Sequence, residues 1–331
     1  MIPLIGNESA RDTLARAIGS RALHHAWLLT GPEGVGKGRF ARDAALRMLA
    51  VAADGAEGLP PGIDVPEENR IARLFAARSH PDYRELVRLP KDADKPGENI
   101  ARSIKIDQVR QLIASFSTKP SLSQRRVVVI DSIDDVERPG AANALLKVLE
   151  EPPEGTVFLL VSHAPGRLLP TIRSRCRTLR FEPLEDAQVQ SALRPALPDA
   201  SDDELAALVR AGDGSPGRAL GFAGLDMAAL ERELETLAMQ GDPTNAVRSR
   251  LARMLGTKAA QARYEAFLER TPSFIAEHAK SRNGAALRRA LDSYAAARDL
   301  GGMAVGLSLD ASATVFEMAG MVARLAQERH D

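Results

Sequence analysis

The residues best equipped for chemistry are a lysine and the glycines before it. Residues 26–39 read A-W-L-L-T-G-P-E-G-V-G-K-G-R, with Gly31, Gly34 and Gly36 leading to Lys37. The spacing Gly31-x4-Gly36-Lys37 is that of a phosphate-binding loop. Glycines let successive backbone N–H groups curl toward one point, a helix starts there with its positive dipole end, and the lysine adds a full charge. The next position normally carries Ser or Thr, whose hydroxyl holds Mg²⁺ beside the phosphates. Here it is Gly38, which has no side chain to offer a metal.

A second feature is an acid. Residues 127–130, V-V-V-I, are apolar on both faces, as in a buried central strand of a parallel sheet, and the run ends at Asp131. A carboxylate at that strand end is placed to bind Mg²⁺. The following position, where ATPases of this kind often carry a Glu that polarises water, is Ser132; Asp134 and Asp135 are expected to point elsewhere. The loop and the acid thus suggest a phosphate site with two parts of its hydrolytic apparatus missing.

These residues need a scaffold. Apolar strand-like runs at 27–29, 86–89, 127–130, 156–162 and 178–181 alternate with helical patterns at 8–18, 40–51, 68–77, 108–116 and 141–150, which predicts a doubly wound α/β domain. Residues 104–107 also look strand-like, with Asp107 capping the helix after them. The Gly/Pro/acid-rich stretch 54–67 reads as an inserted mobile surface loop, and 91–99 as a charged loop. His24 and His25 lack the surrounding ligands of a metal site and are expected to be structural. From 184 onward the pattern is helical. Ser201 to Glu204 forms a capping box, Asp242-Pro243 is expected to open a helix, and Val315, Met318, Val322 and Leu325 form a late apolar stripe.

Composition narrows the function. The 331 residues carry 44 Lys+Arg and 44 Asp+Glu, so no net field draws the chain to nucleic acid or to an anionic membrane. Aromatic residues are 4% of the chain, which argues against a base-stacking platform. The single cysteine, Cys176, excludes an internal disulfide or a Cys-rich zinc site and suits a reducing cytoplasm. The N-terminal residues lack the pattern of a signal peptide, and no uncharged run is long enough to span a bilayer.

Several motifs together carry a resemblance: L-H-H-A-W-L-L-T-G-P-E-G-V-G-K, H-P-D-Y, I-D-Q-V-R, A-N-A-L-L-K-V-L-E-E-P-P, L-L-P-T-I-R-S-R-C and G-S-P-G-R-A-L, in that order between 23 and 220. The chain resembles the δ′ subunits of bacterial DNA polymerase III, in the AAA+ clamp-loader group. The resemblance implies an AAA+ P-loop α/β nucleotide-binding domain over 1–183, a helical lid over 184–224 and a helical collar for oligomerisation over 225–331. It implies a cytoplasmic DNA-replication protein, part of the polymerase III holoenzyme, that helps load the sliding clamp onto primed DNA.

Its expected partners are the gamma/tau ATPase and delta subunits, with the clamp and DNA engaged through the complex. Family members of this type typically do not hydrolyse ATP and act as rigid stators. The arginine of their Ser-Arg-Cys motif, here Arg175, reaches the ATP site of a neighbouring subunit as an arginine finger. Arg218 falls where the family's lid places an arginine toward nucleotide. No cofactor is required in that reading, and whether the degenerate loop holds ATP or ADP is left open. Many relatives carry a four-cysteine zinc module after the loop helix; with no cysteine in 54–78, none is expected here. The alternative is an active AAA+ ATPase, either the motor subunit of the same complex or an independent switch.

Overall fold

The computed structural model describes residues 4–20, 23–92 and 100–326. Two compact units divide between Leu184 and Glu185. In the first, the order is α1 (Glu8–Ile18), β1 (Ala26–Thr30), α2 (Lys37–Asp54), α3 (Arg70–Ala76), β2 (Tyr83–Val87), α4 (Ile106–Ala114), β3 (Arg126–Asp131), α5 (Gly140–Glu150), β4 (Thr156–Ser162), α6 (Pro170–Arg173) and β5 (Arg177–Arg180). The five strands form a parallel sheet in the order β2-β3-β4-β1-β5. The expected α/β class is what the sheet has.

Both faces of the sheet are covered, which explains the near-continuous apolar runs. Trp27, Leu29, Val127, Val129, Leu159 and Val161 pack with Phe40 and Met48 of α2. Leu28, Val128, Ile130, Phe158 and Leu160 pack on the other face with Leu145 and Leu149 of α5. His24 and His25 stack with centroids 4.5 Å apart, and His24 Nδ1 lies 2.8 Å from the Ala26 carbonyl oxygen, a local turn contact. Asp82 of the His-Pro-Asp-Tyr motif is fully buried and accepts from the backbone N–H of Ser121 and Leu122, so the motif ties the approach to β3 in place.

The structure departs from the sequence reading at three places here. Residues 104–107 are no strand: Ile104 makes one bridge to Val136, and the helix already starts at Ile106. Its start is satisfied by Gln108, whose side-chain oxygen accepts the Lys105 N–H, rather than by Asp107. Second, β2 ends at Val87 and leaves Leu89 exposed. Of the loop expected over 91–99, residues 93–99 lie outside the described residues.

Third, the stretch 54–67 lies on the surface as expected, but it is tied to the core rather than loose. Arg47 of α2 is only 8% exposed and donates from one guanidinium nitrogen to the carbonyls of Pro60 and Asp64, both at 2.8 Å. Ile63 is buried, with Leu59 and Val65 packed beside it. A cation bonded to two backbone carbonyls takes the place that polarity assigned to water. Arg47→Ala should therefore lower stability by about 2–3 kcal/mol, the scale of charge-assisted hydrogen bonds plus lost packing. Urea unfolding followed by Trp27 fluorescence measures it, and an unchanged midpoint would mean that the loop holds itself.

The second unit is helical throughout its described residues: α7 (Asp186–Leu193), α8 (Asp202–Gly212), α9 (Pro216–Gly221), α10 (Met227–Gln240), α11 (Ala246–Leu255), α12 (Gln261–Ala279), α13 (Gly284–Gly306) and α14 (Ala311–Ala323). Among the described residues, Ser201 Oγ accepts the Glu204 N–H but the Glu204 side chain returns no bond, so only the N-cap half of the expected capping box forms. Asp242 accepts from the N–H groups of Val247 and Arg248, but α11 begins only at Ala246, so Pro243 lies before the helix. Val315, Met318, Val322 and Leu325 are all buried. No helix among the described residues is long and apolar enough to cross a membrane.

Candidate nucleotide site

In open parallel sheets, ligands bind beyond the carboxyl ends of the strands. The register sets Thr30 of β1 beside Ser162 of β4, and Asp131 of β3 beside Val161. The loop after β1, the acid ending β3 and the end of β4 therefore meet on one edge.

The loop needs its glycines. A Cβ on Gly31, at φ +140°, would lie 2.2 Å from the Phe181 carbonyl oxygen. Gly36 adopts φ 99° just before α2 begins at Lys37, a conformation that L side chains resist. Lys37 is 2% exposed and its Nζ donates to the carbonyls of Gly31, at 2.7 Å, and Pro32. Burial pushes its ammonium down to about 8, against the opposing pull of Asp131, Glu33 and Asp134. An anion drawn into the loop would favour the charged form again.

Gly38 and Asp131 are in close approach. A Cβ on Gly38 would stand 2.2 Å from Asp131 Oδ2 and 3.3 Å from a terminal nitrogen of Arg42. Arg42, one turn further along α2, donates to Asp131 Oδ2 at 3.1 Å and to Glu85 Oε1 of β2 at 2.7 Å. The sequence reading did not single out Arg42; its only signal there is the four-residue spacing from Gly38, which places both on one helix face.

Asp134 corrects another expectation. It turns back to the strand ends instead of pointing away: Oδ1 accepts Ser162 Oγ at 3.0 Å, and Oδ2 accepts the His163 N–H at 2.6 Å and Ser132 Oγ at 3.3 Å. The short turn after β3 brings the carboxylate to backbone that leaves β4 and needs an acceptor. Asp135 does pair outward, with Arg88 at 3.1 Å. His163 was also missed by sequence. It is half-buried, and burial followed by the nearby Lys37 charge holds its imidazole below the ordinary histidine value. Its signal was its place directly after the run 156–162.

The remaining predicted residues have other partners. Arg175, just after α6, pairs with Glu150 Oε1 at 2.8 Å and donates to the Thr171 carbonyl at 2.8 Å. Burial pushes the neighbouring Cys176 thiol up to about 12, which leaves it inert. Arg218 lies in the helical unit, where its guanidinium is 2.6 Å from Glu269 Oε1 and donates to the Glu269 carbonyl.

Comparison with known proteins is informative for the first unit. Residues 6–185 match the family model described as DNA polymerase III, delta subunit. A DNA polymerase III subunit delta′ of Pseudomonas aeruginosa is 41% identical over 210 residues, 62% of this chain and 58% of that protein. The delta′ subunit of Bacillus subtilis is 35% identical over 180 residues, 54% of this chain and 49% of that protein. The chain spans about half the length of these curated relatives. Among solved structures, a gamma subunit-related protein of Thermotoga maritima aligns over 96% of this chain and 99% of its own, at 16% identity and a TM-score of 0.48. With more than half of its residues matched by the family model and relatives named delta′ at 35–41% identity, this chain belongs to the delta′ family of DNA polymerase III subunits.

Proposed function

We propose that this chain is a non-hydrolysing stator of the DNA polymerase III clamp loader. It assembles with the gamma/tau ATPase and delta subunits in the cytoplasm. Through that assembly it helps place the sliding clamp on primed DNA. Residues 184–224 act as its lid and 225–331 as its oligomerising collar. It needs no zinc, and Arg175 is lent to the ATP site of a neighbouring subunit.

The observation that carries this reading is the juxtaposition of Gly38, Asp131 and Arg42. The carboxylate that would hold Mg²⁺ lies against the helix start, where any side chain at 38 would have to turn it aside, and it is already paired with an internal cation. Ser132 adds no carboxylate to orient water.

A second reading, an active ATPase, draws on the intact Lys37 and Asp131. Turnover of ATP by the purified chain in Mg²⁺ separates the two. The stator reading expects a rate indistinguishable from that of Lys37→Ala; hydrolysis that the Lys37→Ala change abolishes would establish the second.

A further inference from the structure

A loop of this kind ordinarily takes its phosphates together with Mg²⁺, so the fit of the residues to that ion can be judged. Mg²⁺ demands near-octahedral oxygen ligands at about 2.0–2.1 Å and keeps several waters. At this site the hydroxyl ligand is absent at Gly38. The remaining acid, Asp131, has its Oδ2 at 3.1 Å from the Arg42 guanidinium. Arg42 also holds Glu85 at 2.7 Å, so one cation on α2 neutralises two carboxylates, one on β2 and one on β3. These residues do not fit Mg²⁺.

The two departures are linked. Any Cβ at position 38 would come within 3.3 Å of Arg42 and within 2.2 Å of Asp131. The glycine leaves space for the ion pair, and the ion pair engages the acid that a metal would need.

We propose that Arg42 is a built-in substitute for the divalent cation, and that the loop 31–37 binds a nucleoside di- or triphosphate as the bare anion. Mg²⁺ serves two purposes in such loops: it bridges the phosphates, and it screens them from the strand-end acid. Arg42 takes over the second. A guanidinium is always charged and more weakly hydrated than an ammonium, so it persists in a partly buried setting. With Asp131 and Glu85 neutralised, the backbone N–H groups of the loop and Lys37 can hold phosphate without a metal. The site then keeps nucleotide as a structural ligand.

The inference rests on the reading of 31–37 as a nucleotide loop, and it can fail while the stator role stands. The test is calorimetric titration of the full chain with ADP, once with Mg²⁺ and once with EDTA. The expected result is the same affinity within about twofold in both. Arg42→Ala should bind ADP about tenfold more weakly in EDTA, because Asp131 and Glu85 then face the phosphates bare, and Mg²⁺ should restore most of the loss.

Arg42→Lys, which keeps a positive charge, should remain indifferent to the metal and serves where the alanine variant melts early. Wild-type ADP binding tenfold tighter with Mg²⁺ overturns the proposal. So does an absence of ADP binding in both buffers, or an Arg42→Ala variant as indifferent to Mg²⁺ as the wild type. None of these outcomes touches the ATPase comparison with Lys37→Ala or the assembly of the complex.

Discussion

In a reconstituted clamp loader, Arg175→Ala should cut ATP hydrolysis by the complex by a factor of about 10³ or more. An arginine supplied across an interface neutralises charge that develops on the transferring phosphoryl group, and its loss costs about 10³–10⁵ in rate. The variant should fold and assemble normally. Arg175 makes one ion pair, with Glu150, and both side chains are about a third or more exposed. Pairs of that kind contribute at most about 1 kcal/mol. The same geometry makes Glu150 informative. It lies at the end of α5, in the L-E-E-P-P run, and in the free chain it fixes the direction of the Arg175 side chain.

Glu150→Gln should therefore reduce complex ATPase activity less than the arginine change, about tenfold, since a positioning contact is lost but the charge remains. Steady-state ATP turnover of the complex, with assembly checked by gel filtration, measures both variants. Equal turnover with and without the Arg175 guanidinium would remove this residue from the mechanism.

Arg270→Ala should be the most damaging substitution to stability, by about 3–5 kcal/mol in the helical unit. Arg270 of α12 is 0% exposed. Its guanidinium meets Glu231 of α10 at 2.5 and 3.1 Å, and Glu277, two turns along its own helix, at 2.7 and 2.9 Å. Burial works against the charge, but the hydrogen bonds to Glu277 and Glu231 outweigh it and hold the guanidinium above its ordinary value. Removing the arginine leaves Glu231, itself buried, with only the long 4.0 Å pairing to Arg210, in a medium that solvates it poorly.

The cost comes from the stranded acid more than from the lost attraction. Replacing Arg270, Glu231 and Glu277 together with apolar residues of similar volume should accordingly recover most of it. Urea unfolding followed by far-UV circular dichroism reports both units and Trp27, the only tryptophan, the first alone, so a loss seen by dichroism but not by Trp27 belongs to the helical unit. A loss below 1 kcal/mol for Arg270→Ala would show that water reaches the acids.

These cases mark what could be read before folding. The parallel sheet was legible because strands buried on both faces write themselves as apolar runs, at 27–29, 127–130 and 156–162. The phosphate loop was legible because its geometry depends on glycines at fixed offsets before a lysine, and those offsets are local. The missing hydroxyl at 38 and missing carboxylate at 132 were visible for the same reason.

Long charged side chains behave differently. Periodicity says from which face of a helix an arginine leaves, but its partner is chosen by whatever the fold brings near. Arg42 meets acids 43 and 89 positions away. Arg47 reaches carbonyls of a loop that composition had marked as loose. Arg270 finds its buried acid 39 positions back. Asp134 folds onto the end of a strand 28 residues on. The sheet, the loop and the identities of positions 38 and 132 were already written in the order of residues, since each depends on neighbours a few residues apart. The pairing of the cations was settled by folding, because a guanidinium or carboxylate must find its counter-charge through space once burial has removed it from water.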